Sequence, residues 1–366
     1  MALDIDQAHH ITETVQHSFA LFFNIVLLYL IKSYSTFGVK LYKYLLTIDA
    51  LLDLSLAAVG FLAQPLALGG DGYLILTLNG FFAGHSPALD SLLYTMFLFI
   101  MHTNILWIPV QFIYRYRLLC KDDNQSKRIN VLIVVATAAY SLLALVIIAW
   151  VCEYREELQP FGQNVFRLNK WPQHKNGRHQ FVFGCLVTEI RGIPYMTLWA
   201  ITATASIFIV VWCERKIARH FRQLGRPTHD TTQKMHKEFH RALLAMAICP
   251  LITATIPVYY FIFCFIFQLS IGWLSAMVTS MLSLITVFNP LTTVICFRCY
   301  RQNAIRLLTC GTLCRNVVKP TSSLEMTPAS LELSLPSEPQ QASGGSLNQH
   351  DGAEVDQNTI RPMALE

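Results

Sequence analysis

Five side chains stand where hydrocarbon should exclude them. Asn24, Asp49, Asp53, Asn104 and Asn289 each interrupt a long apolar run, and His102 sits beside Asn104. Asp49 and Asp53, at i and i+4, share one face of a helix. A carboxylate at such a place costs a few kcal/mol unless it faces other polar groups, so these residues should turn toward one another. The chemistry open to them is pairing, the holding of water or a small cation, or plain helix–helix hydrogen bonding. Catalysis is not suggested. His9-His10 is an isolated pair, and no His or Cys cluster has catalytic or metal-ligand spacing, so neither an enzyme nor a cofactor is expected.

The elements that must carry these residues are membrane helices. Of 366 residues, 53% are hydrophobic and 14% charged, with mean hydropathy +0.41. Soluble domains carry about a quarter charged residues. Seven apolar runs match the ~20 residues that a bilayer core requires: Val15–Ile31, Tyr44–Leu68, Ala88–Tyr114, Ile129–Val151, Gly192–Cys213, Ala242–Phe267 and Gly272–Phe297. None has an interior Lys or Arg. The expected architecture is an all-α, seven-transmembrane helix bundle over 15–310, after an extracellular tail at 1–14. The segment 311–366, rich in Ser, Thr, Pro and acid with no aromatic residue, reads as a disordered cytoplasmic tail.

Of the 28 Lys and Arg, 22 fall in the first, third and fifth loops and the tail, which places those segments in the cytosol of a multi-pass plasma-membrane protein. The N-terminus is then outside and the C-terminus inside. No basic n-region precedes the first run, so that run is expected to be an uncleaved anchor. The remaining six basic residues share the long loop 152–191 with four glutamates.

Depth follows from ~1.5 Å of rise per residue. Counted from the basic end of each run, Asn24 lies about 12 Å in, Asp53 about 15 Å, Asn104 about 16 Å and Asn289 about 14 Å. Four helices thus bring a polar group to one level, which predicts an internal cluster of Asn24, Asp53, Asn104 and Asn289.

Prolines mark where the bundle can bend. Pro250 and Pro257 weaken the sixth run, and Pro290 follows Asn289 in the seventh; each removes a backbone donor. Beyond Pro290, Arg298 to Leu308 alternates basic and apolar residues at helical spacing, a short amphipathic helix at the surface. Cys310 and Cys314, beside it, are candidate lipidation sites. Cys152 and Cys185 share the long outside loop, where a disulfide can persist. In the outer half, Tyr94, Met96, Tyr259, Tyr260, Phe263, Met277 and Ser280 are candidate ligand-facing residues, with core packing as the competing role. The basic loop after the fifth run suits an acidic partner or anionic lipid.

Three stretches carry a resemblance: Val110–Leu118 (VQFIYRYRL), Met235–Pro250 (MHKEFHRALLAMAICP) and Phe288–Arg301 (FNPLTTVICFRCYR). Over about Thr14 to Leu308 the chain resembles nematode seven-transmembrane chemoreceptors of the Str superfamily, G-protein-coupled receptors, and most resembles serpentine receptor class delta. The resemblance implies a sensory receptor that binds a small odorant-like molecule and activates a heterotrimeric G protein. It implies no nucleic-acid partner. It further implies coupling through Tyr114, Arg115, Tyr116, Lys237, Arg241, Arg298, Tyr300 and Arg301. Two departures from rhodopsin-like receptors stand out: no cysteine precedes the third run, and Tyr114, not an acid, precedes Arg115. A ligand-gated channel and a small-molecule transporter remain the competing classes. Against them, the runs lack a polar pore stripe and internal repeats.

Overall fold

The first helix shows how the chain solves its environment. α1 spans Ile5–Tyr34, and His9, Glu13, His17, Ala20, Asn24, Leu27 and Leu30 form one buried seam at helical spacing. Ile11, Val15, Phe19, Phe22 and Ile25, on the other face, are exposed. Polar groups inside and apolar groups outside are what lipid demands. The computed structural model describes residues 5–34, 43–70, 72–120, 126–168, 171, 174–175, 178–186, 188–223, 244–245, 248, 251–267, 269 and 273–308. Among the described residues six helices are long and apolar enough to cross a membrane. Most of the segment expected to be an N-terminal tail is the beginning of α1.

α2 spans Lys43–Ala63. The second apolar run was expected to remain helical to Leu68, but it leaves the helix at Gln64, whose φ is 44°. Pro65 explains the stop, because a proline disfavours helical geometry in the residue before it. The chain then forms β1 (Pro65–Gly70) and β2 (Tyr73–Leu78). The expected helical bundle stands, and the structure adds to it a three-stranded antiparallel sheet of order β1-β2-β5, with β5 at Phe183–Leu186, at this end of the bundle. Its side chains alternate. Ala67, Leu74, Leu76 and Leu78 join the main core, while Leu66, Leu68 and Ile75 pack with Val165, Phe166, Trp171 and Val182. This end is called the sheet end below, and the opposite one the basic end.

α3 spans Pro87–Cys120. Pro87 occupies the first helical position, Ser86 Oγ accepts the Leu89 N–H at 3.2 Å, and the Asp90 carboxylate accepts the Gly84 N–H at 2.8 Å. α3 is central, packing on α2, on α4 (Ser126–Val151) and on α6 (Gly192–Gln223). α4 is peripheral, with Val131, Leu132, Val134, Leu142 and Val146 all exposed, so it is apolar all round.

Between α4 and α6 run a 3₁₀ turn at Glu156–Leu158, α5 (Gln159–Leu168), the ribbon β3 (His174–Lys175) and β4 (Arg178–His179), and β5 (Phe183–Leu186). α5 covers the outer face of the sheet with Val165 and Phe166. At Gly184, where φ is 125°, an added Cβ would lie 1.9 Å from the Leu74 carbonyl oxygen, so only glycine admits the β2–β5 pairing.

The sixth run appears as a π-helical turn, Leu251–Thr255, leading into α7 (Ile256–Ile266), with Pro257 at the junction. The seventh is divided into α8 (Trp273–Ser283) and α9 (Ile285–Cys296) by a turn at Leu284. After Phe297, in extended conformation, α10 (Arg298–Leu308) follows. Pro250, Lys237, Arg241, Cys310, Cys314 and the segment 311–366 lie outside the described residues.

Candidate functional site

At mid-depth the polar residues converge on Asp53. Its carboxylate accepts from Asn104 Nδ2 at 2.6 Å and from the Asn289 side chain. Asn24 takes a different place. Pro290 cannot donate to the carbonyl four residues back, that of Thr286, and Asn24 Nδ2 donates to that oxygen at 3.0 Å. Asn24 thus caps the break that Pro290 makes, while Asn289 turns to Asp53. One sequence pair, Asn289-Pro290, ties α9 to both α1 and α2.

One turn nearer the basic end lies a second chain of contacts. Gln111 Nε2 donates to Asp49 Oδ1 at 2.7 Å, and Arg115 Nη2 donates to Gln111 Oε1 at 3.1 Å. The guanidinium lies 5.1 Å from the Phe112 ring centroid. Arg115 is only 1% exposed. A residue expected at a partner-facing surface is held inside the bundle. Tyr116 packs edge-on against Trp212 at 5.2 Å, and Tyr114 is half-buried. Tyr300, expected to face a partner, is instead fully buried with Phe297, Leu27, Leu30 and Leu46 beneath α10. Its ring is the apolar side of that amphipathic helix. Arg298 and Arg301 are exposed.

The sheet end holds a polar group that sequence reasoning missed. Glu13 Oε2 accepts from Ser283 Oγ at 3.1 Å, lies 3.0 Å from His17 Nε2, and has a further hydrogen bond from Ser280. Asn79 Nδ2 donates to His9 Nδ1 at 3.3 Å, and Gln64 Nε2 donates to Thr14 Oγ1 at 2.9 Å. Gly60 makes room for the His17 ring, whose atoms lie 2.2 to 2.9 Å from where a Cβ would stand. The signal was present as His9, Glu13 and His17 at successive i+4 positions, but it began before the expected start of the first run.

Beside this group, across α8, lies an apolar cavity of about 560 Å³ counted to its open mouth. Tyr94, Phe97 and Met101 of α3, Tyr195 and Trp199 of α6, Phe261 of α7, Leu282 of α8 and Leu74 of β2 line it, with no charged side chain among the lining residues. The Tyr94 hydroxyl is already committed, donating to the Leu66 carbonyl at 3.2 Å.

Of the residues expected to face a ligand, Tyr94 alone lines this cavity. Met96, Phe263 and Met277 are exposed on the outside of the bundle. Tyr259 also faces outward, its hydroxyl 2.6 Å from Thr204 Oγ1 of α6. Tyr260 is half-buried and hydrogen-bonded with Cys264, away from the lining. Ser280 is buried but serves Glu13. The physical reason is common to all: a run that is apolar all round shows no face preference, so the inward face of α7 (Val258, Phe261, Ile262) is set by packing.

Cys152 and Cys185, expected as a disulfide, are buried free thiols packed as small apolar side chains in the main core. Burial pushes each up to about 12, so neither is a thiolate at neutral pH. Ion pairs hold the loop elsewhere: the Arg155 guanidinium binds Glu189 and also donates to the Gly184 carbonyl at 2.7 Å, and Arg191 Nη1 donates to Glu153 Oε2 at 2.8 Å.

Residues 9–306 match the family described as serpentine type 7TM GPCR chemoreceptor Srd. No curated protein matches the chain. The chain belongs to the Srd class of nematode serpentine chemoreceptors, a receptor class that spans the membrane several times.

Proposed function

We propose that this chemoreceptor binds a small, uncharged, largely apolar molecule in the cavity between α3, α6, α7 and α8 and in response activates a heterotrimeric G protein at its basic end. The observation that carries the ligand side is the lining: several aromatic rings and no charged group. A charged ligand would lose its hydration without gaining a counter-charge.

Orientation follows the Lys and Arg distribution, with the sheet end outside the plasma membrane and the basic end in the cytosol. Ligand in the cavity touches Leu282 and Thr279 of α8 and Phe261 of α7, the two elements that carry the Leu284 break and the Pro257 π-turn. It binds one packing of these elements better and so shifts the population toward it. Arg115, Arg298 and Arg301 then offer positive charge to a G-protein helix, and Lys237 and Arg241 of the basic loop are proposed to add to it.

The test is nucleotide exchange on a purified heterotrimeric G protein by receptor in lipid discs, under a panel of neutral aromatic and aliphatic ligands and their carboxylate or ammonium analogues. Neutral members should drive exchange and charged analogues should not. Arg115→Ala should keep ligand binding and lose exchange. Exchange preserved in Arg115→Ala removes the arginine from coupling. Ligand-evoked current through the same discs without a G protein supports a channel instead.

A further inference from the structure

We propose that Gln111 is a positioning residue: strung between Asp49 and Arg115, it holds the arginine inside the bundle and keeps output low when no ligand is bound. This rests on the reading that Arg115 serves the G protein.

The geometry is a three-member chain with no freedom in its direction. A guanidinium only donates and a carboxylate only accepts. An amide placed between them must turn its oxygen to Arg115 and its nitrogen to Asp49, and both contacts are made, at 3.1 and 2.7 Å. Rotating the amide by half a turn would break both at once. All three groups are buried, so water does not substitute for either bond. Asp49 also attracts the Arg115 charge through space.

The position of each residue suits the role. Gln111 and Arg115 are one turn apart on α3, and Asp49 comes from α2, one turn from Asp53 on the same helix. Because Tyr114 precedes the arginine, no adjacent acid holds it on its own helix. The counter-charge comes from the neighbouring helix, through a neutral bridge. Such a bridge is weaker than a direct ion pair and depends on the distance between two helices. Separation of α2 from α3 at this level lengthens the Asp49–Gln111 bond, the one of the two that crosses between helices, and leaves the amide that positions the guanidinium without its anchor. The charge that meets the partner is thereby made conditional on the packing of α2 against α3.

The experiment uses the full-length receptor in lipid discs and exchange on purified heterotrimer with no ligand added. Gln111→Leu removes both hydrogen bonds and should raise basal exchange about tenfold, the expected size for a hydrogen bond to a charged group; Asp49→Asn removes the counter-charge while its amide oxygen can still accept from Gln111, and should raise basal exchange by less. The double variant Asp49→Asn with Gln111→Glu rebuilds the chain with its polarity exchanged: Asn donates to Glu, and Glu accepts from Arg115. Its basal exchange should return toward that of the unaltered receptor. Gln111→Asn keeps the amide, shortens its reach and should fall between. A merely structural role predicts loss of folded receptor in the single variants and no rescue by the exchange.

The same variants form a cycle on thermal unfolding of the receptor alone, read without a G protein. The singles should lower the melting temperature and the double should regain it. Singles with unaltered basal exchange, or a double as active as the singles, overturn the role of Gln111. A receptor silent in every form, the unaltered one included, counts against the proposed function; a regained melting temperature beside unchanged basal exchange counts against Gln111 alone.

Discussion

Around the cavity at the sheet end, Tyr94, Trp199 and Leu282 meet across apolar space, whereas further along α3 Arg115 is sealed in with a carboxylate two hydrogen bonds away. The same helix therefore lines a site without charge and another built on charge. The first tolerates change, because dispersion contacts are many, small and replaceable. The second does not, because each donor or acceptor left unmatched in a dry interior costs about 1–3 kcal/mol, and more for a charge. On the proposed reading, variation in what is sensed would belong to the first region, and constancy in how it is reported would belong to the second.

The largest effect should come from the link between them. Asp53→Ala leaves the Asn104 and Asn289 amides without their shared acceptor. Ligand-driven exchange should fall by about tenfold or more, with surface expression reduced far less, when both are measured in the same cells. Equal loss of the two would make Asp53 a folding residue only.

Gly60→Ala tests the polar group of the sheet end. The new methyl group collides with the His17 ring. Overpacking of this kind costs about 1–3 kcal/mol, so the melting temperature should drop by several degrees, and His17→Ala should recover part of the loss. No recovery would mean that the collision is relieved elsewhere.

Trp199→Leu enlarges the cavity wall without touching the basic end. Half-maximal ligand concentrations should shift by about tenfold in favour of bulkier neutral ligands while basal exchange stays fixed. A change in basal exchange would show that the two regions are not separable.

A smaller effect is expected in the loop. Burial raises the Glu189 carboxyl, but Arg155 and the Leu186 N–H outweigh it and leave it below the usual carboxylate value. A carboxyl depressed in the fold stabilises above its unfolded value, and that contribution is lost as pH falls through the folded one. Glu189→Gln should therefore lower the melting temperature at neutral pH by an amount worth about 1 kcal/mol or less, with the difference vanishing in acid. A difference that persists in acid would assign it to packing. Smallest of all, Met277→Leu, on the outward face, should move half-maximal ligand concentrations by less than about twofold.

Membrane character and the level of Asp53, Asn104 and Asn289 were legible in the sequence, because apolar length and helical rise are one-dimensional quantities. Asn24 was legible in depth but not in partner, since its acceptor is a carbonyl exposed by Pro290 on another helix. What periodicity could not tell was rotation. Phe261 and Phe263 are indistinguishable in an all-apolar run, yet one lines the cavity and the other is exposed. The same blindness hid β1, whose Pro65–Leu68 continues an apolar stretch without any break in hydropathy. The burial of Arg115 depended on Gln111, an unremarkable polar residue until its neighbours are known.

The turn at Leu284 has a mechanical consequence. It divides the seventh span into two rigid arms, one ending at Ser283 just past Leu282 of the cavity wall, the other running to Cys296. The second arm, of 12 residues, is about 18 Å long. Used as a fulcrum, the turn would carry a tilt of about 10° to the far end of that arm as a displacement of about 3 Å, enough to move Phe297 and the helix that follows it by most of an atom's width. A sub-ångström shift at Leu282, where the proposed ligand would touch, would in that sense be geared up before it reached the basic end.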